Sequence, residues 1–328
     1  MKRKVIKQGH NTLTVTLPTK WAKKQGIEAG DEIDLLEKDS SLVISGKPIL
    51  EKTVKELDVK GMSIPVLWRS IISAYRAGYD EIKIYFDPPK GKKNIYTDFG
   101  YNNLKWLFPK GMLQLSQIEA AQALIGRLIG MEIVDQKGKY CIAKEMGETT
   151  YSEFDDALRR IFLLLISIAE EVYEGYKNRK MTMLKSSLLI DSTIDRFEDF
   201  CLRVLNKKGY SDPKKTSTMY ALIFLLEMVG DEYKKIAMHV LNTKEKPSKL
   251  MFKEFEVQQN QLKRFYKFFY SYSKDAANEI YAEDEKGDTF LNQFYAQFST
   301  EEKNMVHHFK KIGIYILSLT ELRIDLEH

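Results

Sequence analysis

Only two of the 328 residues are cysteine. Cys141 and Cys201 are too few for the disulfide framework of a small secreted domain, and they fit a reducing compartment. Long apolar runs are missing too. The longest, Ile161 to Ile166 and Tyr220 to Leu226, fall well short of the roughly 18 residues of a membrane span, so no membrane insertion is expected. Lys2, Arg3 and Lys4 are not followed by the apolar segment of a secretory signal, and a cytoplasmic location is expected. A last absence is local: the first 25 residues contain no acid.

What is present is an ordinary globular composition, 44% apolar and 30% charged, enough for a sizeable core divided over two or three domains. The net charge of +5 is too small to mean anything as an average. Its distribution is informative at the N-terminus. Lys2, Arg3, Lys4, Lys7, Lys20, Lys23 and Lys24 all precede the first acid, whereas Glu28, Asp31, Glu32, Asp34, Glu37 and Asp39 crowd the following stretch. One basic face is the footprint of a nucleic-acid binder, and a solvated lysine-rich surface is the bland alternative.

Residues 1–47 read as a unit: strands over Lys4 to Gln8 and Leu13 to Leu17, a short helix over Pro18 to Gln25 ended by Gly26, and strands over Glu32 to Glu37 and Ser41 to Ser45. So small a piece is short of core side chains, which predicts a homodimer. Gly9-His10-Asn11, then Val15-Thr16-Leu17-Pro18, Gly26-Ile27 and Gly30-Asp31-Glu32, resemble the AbrB/SpoVT/MazE swapped-hairpin family. The resemblance implies a dimer that holds double-stranded DNA through the first strand, the turn and the short helix. Carried over by position, the contacts are Arg3, Lys4, Lys7, His10, Asn11, Thr12, Lys20 and Lys23. Lysines suit phosphates, whereas Arg3, Asn11 and Thr12 have donor geometry for base edges.

Residues 49–146 alternate strands and helices: strand 52–59, helix 64–78, strand 81–86, the Pro88 to Lys93 loop, helix 116–130, then strands 131–135 and 139–143. The order predicts an α+β linker or sensor module of split βαβ type.

Helical periodicity fills 150–328, opening at a capping box, Thr150-Tyr151-Ser152-Glu153, and closing with a helix capped by Ser299 and Glu302. Phe252, Phe255, Leu262, Phe265, Phe268 and Phe269 make an aromatic seam, and Gly287-Asp288 reads as a break before the last helix. Two helices carry acids in apolar company. Glu227 and Asp231 sit one turn apart in Leu222 to Asp231, and Asp191, Asp195 and Glu198 fall at i, i+4, i+7 on a stripe with Leu184, Leu188, Leu202 and Leu205. Five carboxylates without evident cationic partners on the seam predict a bound cation with hard oxygen ligands. The alternative is a tilted helix that leaves the acids wet, with Lys234 bridging Asp231 at i,i+3.

Leu226-Glu227-Met228-Val229-Gly230-Asp231 and Ile190-Asp191-Ser192-Thr193-Ile194-Asp195 resemble the acidic helices of the PhoU family. That resemblance implies an all-α array of two three-helix units, metal ions of the iron, zinc or magnesium class, and a role in regulating phosphate uptake. Its partners would be a phosphate transporter component or a signalling kinase. Glu321 and Asp325, on a stripe with Ile314 and Leu317, look like a second acidic motif. The combined expectation is a multidomain, non-enzymatic, DNA-binding transcriptional regulator that senses through a metal-binding helical domain. An antitoxin-like interaction protein is the alternative. A di-metal enzyme is a weaker one, since none of His239, His307 or His308 has a Glu three residues earlier, as ferritin-like sites require.

Overall fold

In the computed structural model, which describes residues 2–38, 41–45, 52–87, 116–147, 151–243, 245 and 247–328, strand β1 (Val5–Gln8) pairs antiparallel with β2 (Thr12–Val15). The turn between them needs Gly9, whose φ of +72° lies in the left-handed region that costs a residue with a Cβ. Helix α1 (Thr19–Gln25) ends at Gly26, again left-handed at φ +70°. A second antiparallel pair, β3 (Asp34–Lys38) with β4 (Ser41–Ser45), completes this small unit. The chain divides into two compact units, Met1–Thr53 and Val54–His328.

The larger unit opens with a four-stranded sheet in the order β5-β6-β8-β7, formed by β5 (Val54–Asp58), β6 (Glu81–Tyr85), β7 (Met131–Lys137) and β8 (Tyr140–Glu145). Alternation along β6 buries Ile82 and Ile84, and along β8 it buries Cys141 and Ala143. Against these pack Leu67, Ile71 and Tyr75 of α2 (Ile64–Arg76) and Ala120, Ala121 and Leu124 of α3 (Gln117–Ile125). The expected split βαβ arrangement is not what forms. Strands β5 and β6 are direct parallel neighbours, so the α2 crossover returns to the adjacent position, and β8 takes the other edge of β6 instead of inserting between them. The Pro88 to Lys93 loop and Thr150 of the expected capping box lie outside the described residues.

The remainder is helical: α4 (Tyr151–Lys177), α5 (Met181–Lys208), α6 (Thr216–Asn242), α7 (Lys249–Tyr270), α8 (Lys274–Phe294) and α9 (Thr300–Asp325). One continuous core joins them, with Phe162, Phe255, Phe265, Phe268 and Phe309 fully or almost fully buried; of the expected aromatic seam, Phe255, Leu262, Phe265 and Phe268 lie in that core, and Phe252 and Phe269 pack against it half-buried. The Ser299/Glu302 capping box forms. Gly287-Asp288, however, does not break the chain. Gly287 is a buried helical residue facing α7, where an added Cβ would lie 3.4 Å from Val257 Cγ1. Its glycine serves close helix packing, and the breaks fall on either side of α8: between Tyr270 and Lys274, where Ser273 caps α8, and between Phe294 and Thr300, where Ser299 caps the last helix.

A buried polar stripe runs along α7. Glu254 is fully buried; Gln258 Nε2 donates to its Oε1 at 2.8 Å, but Glu254 Oε2, Gln258 Oε1 and Gln261 Oε1 have no hydrogen-bond partner among the described residues. Three orphan acceptors favour a proton on Glu254, which turns one acceptor into a donor, and the Tyr233 hydroxyl, buried, without a partner among the described residues and in electrostatic reach of Glu254, is the other donor there. Burial pushes the Glu254 carboxyl up to about 7, with Asp284 and Asp288 adding to the shift and the Gln258 hydrogen bond and Lys310 opposing it. A carboxyl whose folded pKa is raised stabilises the fold fully below its unfolded pKa, near 4.5, and loses that contribution as pH rises through about 7. Glu254→Gln should therefore melt higher than the wild type at pH 8, by on the order of 3 kcal/mol at most, and the gap should close by pH 4. Paired thermal melts across that range measure it, and equal melting temperatures at pH 8 would count against a protonated Glu254.

Candidate functional site

The N-terminal unit exposes every residue expected to meet DNA. Arg3, Lys4 and Lys7 on or just before β1, His10 and Asn11 in the turn, Thr12 at the start of β2, and Lys20 and Lys23 on α1 are all solvent-exposed. Lys23 lies in the last turn of α1, where a cation also favours the helix dipole. Apolar side chains are exposed as well: Val5, Ile6 and Leu13 at 64%, 53% and 71%, with Leu35 and Leu42 similar.

The acids of the second unit lie between α5, α6 and the α+β module. Gly230 brings the helices together, since an added Cβ would sit 3.3 Å from Ile194 of α5 and Leu165 of α4. At that separation Lys234, one turn beyond Asp231 on α6, reaches across the helix pair. Its Nζ donates to Asp231 on its own helix and lies 2.9 Å from Asp191 Oδ2 on α5. Asp191 and Lys234 are both buried.

The other acids of α5 take their partners from the α+β module. Arg76, in the last turn of α2, places Nη2 2.6 Å from Glu198 Oε2 and Nε 2.6 Å from Asp199 Oδ1. Arg127, just after α3, meets Asp195 at 3.4 Å and donates to the Ser192 carbonyl at 3.3 Å. Further along α5, buried Arg203 donates to the Tyr75 and Tyr79 carbonyls at 2.8 and 2.9 Å, and Lys207 pairs with Asp80 and Glu145. The expectation of acids without cationic partners is thus corrected: Lys234, Arg127 and Arg76 supply them. Arg76 and Arg127 are about 70 to 120 residues away in sequence, so no local pattern reveals the pairing.

Burial raises the carboxyl pKa of Asp191, Asp195, Glu198, Asp199 and Glu227, with neighbouring acids adding to it and the cations opposing it. Lys234 is held above its ordinary value because Asp191, Asp231 and Asp195 outweigh the cost of burying it. Glu227 is half-buried and makes no hydrogen bond or ion pair among the described residues, and buried Glu198 Oε1 also lacks a partner.

Glu321 and Asp325 do not join this cluster. Both are exposed, and so is Ile314, at 59%, on the stripe expected to carry them inward. The face of α9 that packs is instead the one bearing Met305, Phe309, Ile312, Ile316 and Leu319. Among the described residues, no group of three or more His, Cys, Asp or Glu side chains is arranged to hold a metal ion. The iron, zinc or magnesium class of ion does not fit the acids as they stand, since the inter-helix position is taken by an ammonium.

Residues 6–53 match the sequence family described as "Antidote-toxin recognition MazE, bacterial antitoxin". The N-terminal segment is a MazE-type domain. No curated protein matches the chain. Over the helical part, solved structures are similar: PhoU from Pseudomonas aeruginosa, 16% identical, over 54% of this chain and 96% of that one with a TM-score of 0.49; and the phosphate transport system regulatory protein PhoU from Streptococcus pneumoniae, 20% identical, over 54% and 94% with a TM-score of 0.46. Among the described residues, no helix is long and apolar enough to cross a membrane.

The α5 network has a measurable consequence. Arg76→Ala leaves two buried carboxylates without their guanidinium, and breaking such a pair costs about 3 kcal/mol or more. Urea unfolding should register that loss, and Glu198→Gln added to Arg76→Ala should recover part of it. Full stability in Arg76→Ala alone would mean that the clamp contributes little.

Proposed function

We propose that this chain is a DNA-binding regulator, in which paired MazE-type domains hold double-stranded DNA and the helical array receives the signal or partner. The observation that carries this reading is the family-matched segment itself, with the basic side chains of its acid-free first 25 residues exposed along a hairpin and helix. Exposed Val5, Ile6, Leu13, Leu35 and Leu42 support a second copy as the source of the missing core. The phosphate-uptake role rests on the likeness of the Glu227 and Asp191 helices to acidic PhoU helices, and a transporter component or signalling kinase is the partner that such a role implies. A metal is not carried into this reading, because Lys234, Arg127 and Arg76 already face the acids.

A second reading is favoured by one observation, the antitoxin description of the matched family: the same hairpin unit would then bind a toxin as well as DNA. Copurification of the chain with the product of a neighbouring gene is the result that distinguishes it.

Fluorescence anisotropy of the full chain on duplex DNA tests the first reading. Binding should weaken steeply with salt, and Lys20→Ala with Lys23→Ala should weaken it on every sequence while lowering the log–log salt slope by ~0.9 for each phosphate no longer neutralised. Arg3→Ala, Asn11→Ala and Thr12→Ala should instead erode discrimination between sequences, by about 1–3 kcal/mol where a bidentate pairing to a base is removed. An equal loss on operator and random DNA from all five substitutions would overturn the assignment of base readers, and no salt-dependent binding would overturn the DNA reading itself.

A further inference from the structure

A divalent ion between two acidic helices does three things: it bridges carboxylates on separate elements, it cancels their repulsion, and it ties that packing to metal supply. Lys234 already performs the first two. Its Nζ meets Asp191 from α5 and Asp231 from α6, with Asp195 close enough to act on it electrostatically. The ammonium is compact, carries three donors, and is tethered by its own side chain to the helix it bridges. Arg76 and Arg127 close off Glu198, Asp199 and Asp195 from the module side. On the inter-helix side Asp191 and Asp231 hold the ammonium directly, Asp195 attracts it electrostatically, and Glu227 is linked electrostatically to Asp231, Asp195 and Lys234.

We infer that Lys234 is a resident counter-ion standing in place of a metal, so that this acidic seam works metal-free, and that removing its charge exposes a latent site for a hard divalent cation. The two carboxylates that would begin such a site are held by the ammonium instead. A regulator built this way transmits its signal through the array without metal occupancy as the message. The seam's behaviour towards metal is independent of the DNA-binding role and is tested without it.

The test uses the full chain, with Mn2+ as the probe. The wild type is purified, dialysed against EDTA, titrated calorimetrically with Mn2+, and melted with and without the ion. The expected result is no stoichiometric uptake and an unchanged melting temperature. Lys234→Met should bind about one Mn2+ per chain, at least ~10-fold more tightly than the wild type, and its melting temperature should rise with Mn2+. Glu227→Gln added to that variant should weaken the binding again. A Lys234→Met chain that folds only when Mn2+ is supplied supports the inference equally. If it folds under neither condition, Lys234→Gln, which keeps a donor at the position without its charge, is read by the same measurements. A wild type that takes up stoichiometric Mn2+ and loses melting temperature on chelation overturns the inference. So does a folded, uncharged variant at position 234 that gains no Mn2+ binding.

Discussion

A carboxylate taken out of water needs a counter-charge or a proton, and α5 takes several out at once. Asp191, Glu198 and Asp199 are buried along it, with Asp195 half-buried between them. The counter-charges come from three separated stretches: Arg76 at the end of α2, Arg127 after α3, and Lys234 on α6. Asp191 is paired once α5 packs on α6, but Glu198, Asp199 and Asp195 cannot be satisfied until the α+β module and the helical array have docked. The desolvation cost that makes a buried ion pair poor evidence for stability makes it a strict condition on geometry, since a module set slightly wrong leaves charges unpaired in a low dielectric.

The same helix then fixes the orientation of that docking with neutral acceptors. Arg203 takes the carbonyls of Tyr75 and Tyr79 while its guanidinium lies over the Tyr75 ring at 4.9 Å, and Asn206 donates to the Arg76 carbonyl at 2.7 Å. These carbonyls belong to the C-terminal end of α2 and the turn after it, where helix geometry leaves acceptors without intrahelical partners. Gly78, at φ +91°, makes the close approach feasible, since an added Cβ would lie 3.1 Å from Lys207 Cβ. Charge and helix-end chemistry thus act on one joint. Any ligand or partner that shifts α5 against α6 must also load α2, so the module acts as part of the array, while residues 1–53 cluster separately.

Legibility in the sequence follows the range of the interactions. Strand pairing in the first hairpin, Gly26 as a helix stop, the Ser299/Glu302 cap and the aromatic seam of α7 depend on residues a few positions apart, and each is readable. Gly287 misleads because a glycine required by close helix packing looks the same in sequence as one that ends a helix; Val257, its reason for being glycine, lies on another helix. That five of the acids lie on the apolar seams of two helices is readable from periodicity; that the two helices are neighbours comes from the resemblance of their acidic motifs. Their neutralisation is not readable, since Arg76 and Arg127 reach them only through the tertiary fold. Lys234 is readable as an i,i+3 partner of Asp231 but not as a bridge to Asp191. Glu321 and Asp325 repeat the acid spacing on the outer face of α9, which shows how little a spacing determines without knowing which face packs.

The two units meet their need for a core in opposite ways. The larger one encloses two apolar clusters, one around α2 and the sheet and one through the helical array, and uses its buried charges to join them. In the MazE-type unit, α1 buries no residue, and the hairpin leaves Val5, Ile6 and Leu13 largely exposed. A unit with so little burial gains most of its stability from whatever covers those side chains. If a second copy does so, as proposed, then folding of the DNA-contacting hairpin, pairing of two chains and presentation of two basic faces become one linked equilibrium. Regulation need not then reshape the DNA-contacting residues. A change in the array that favours or opposes pairing of two chains alters DNA affinity through that equilibrium alone, to the extent of the free energy by which it shifts the pairing.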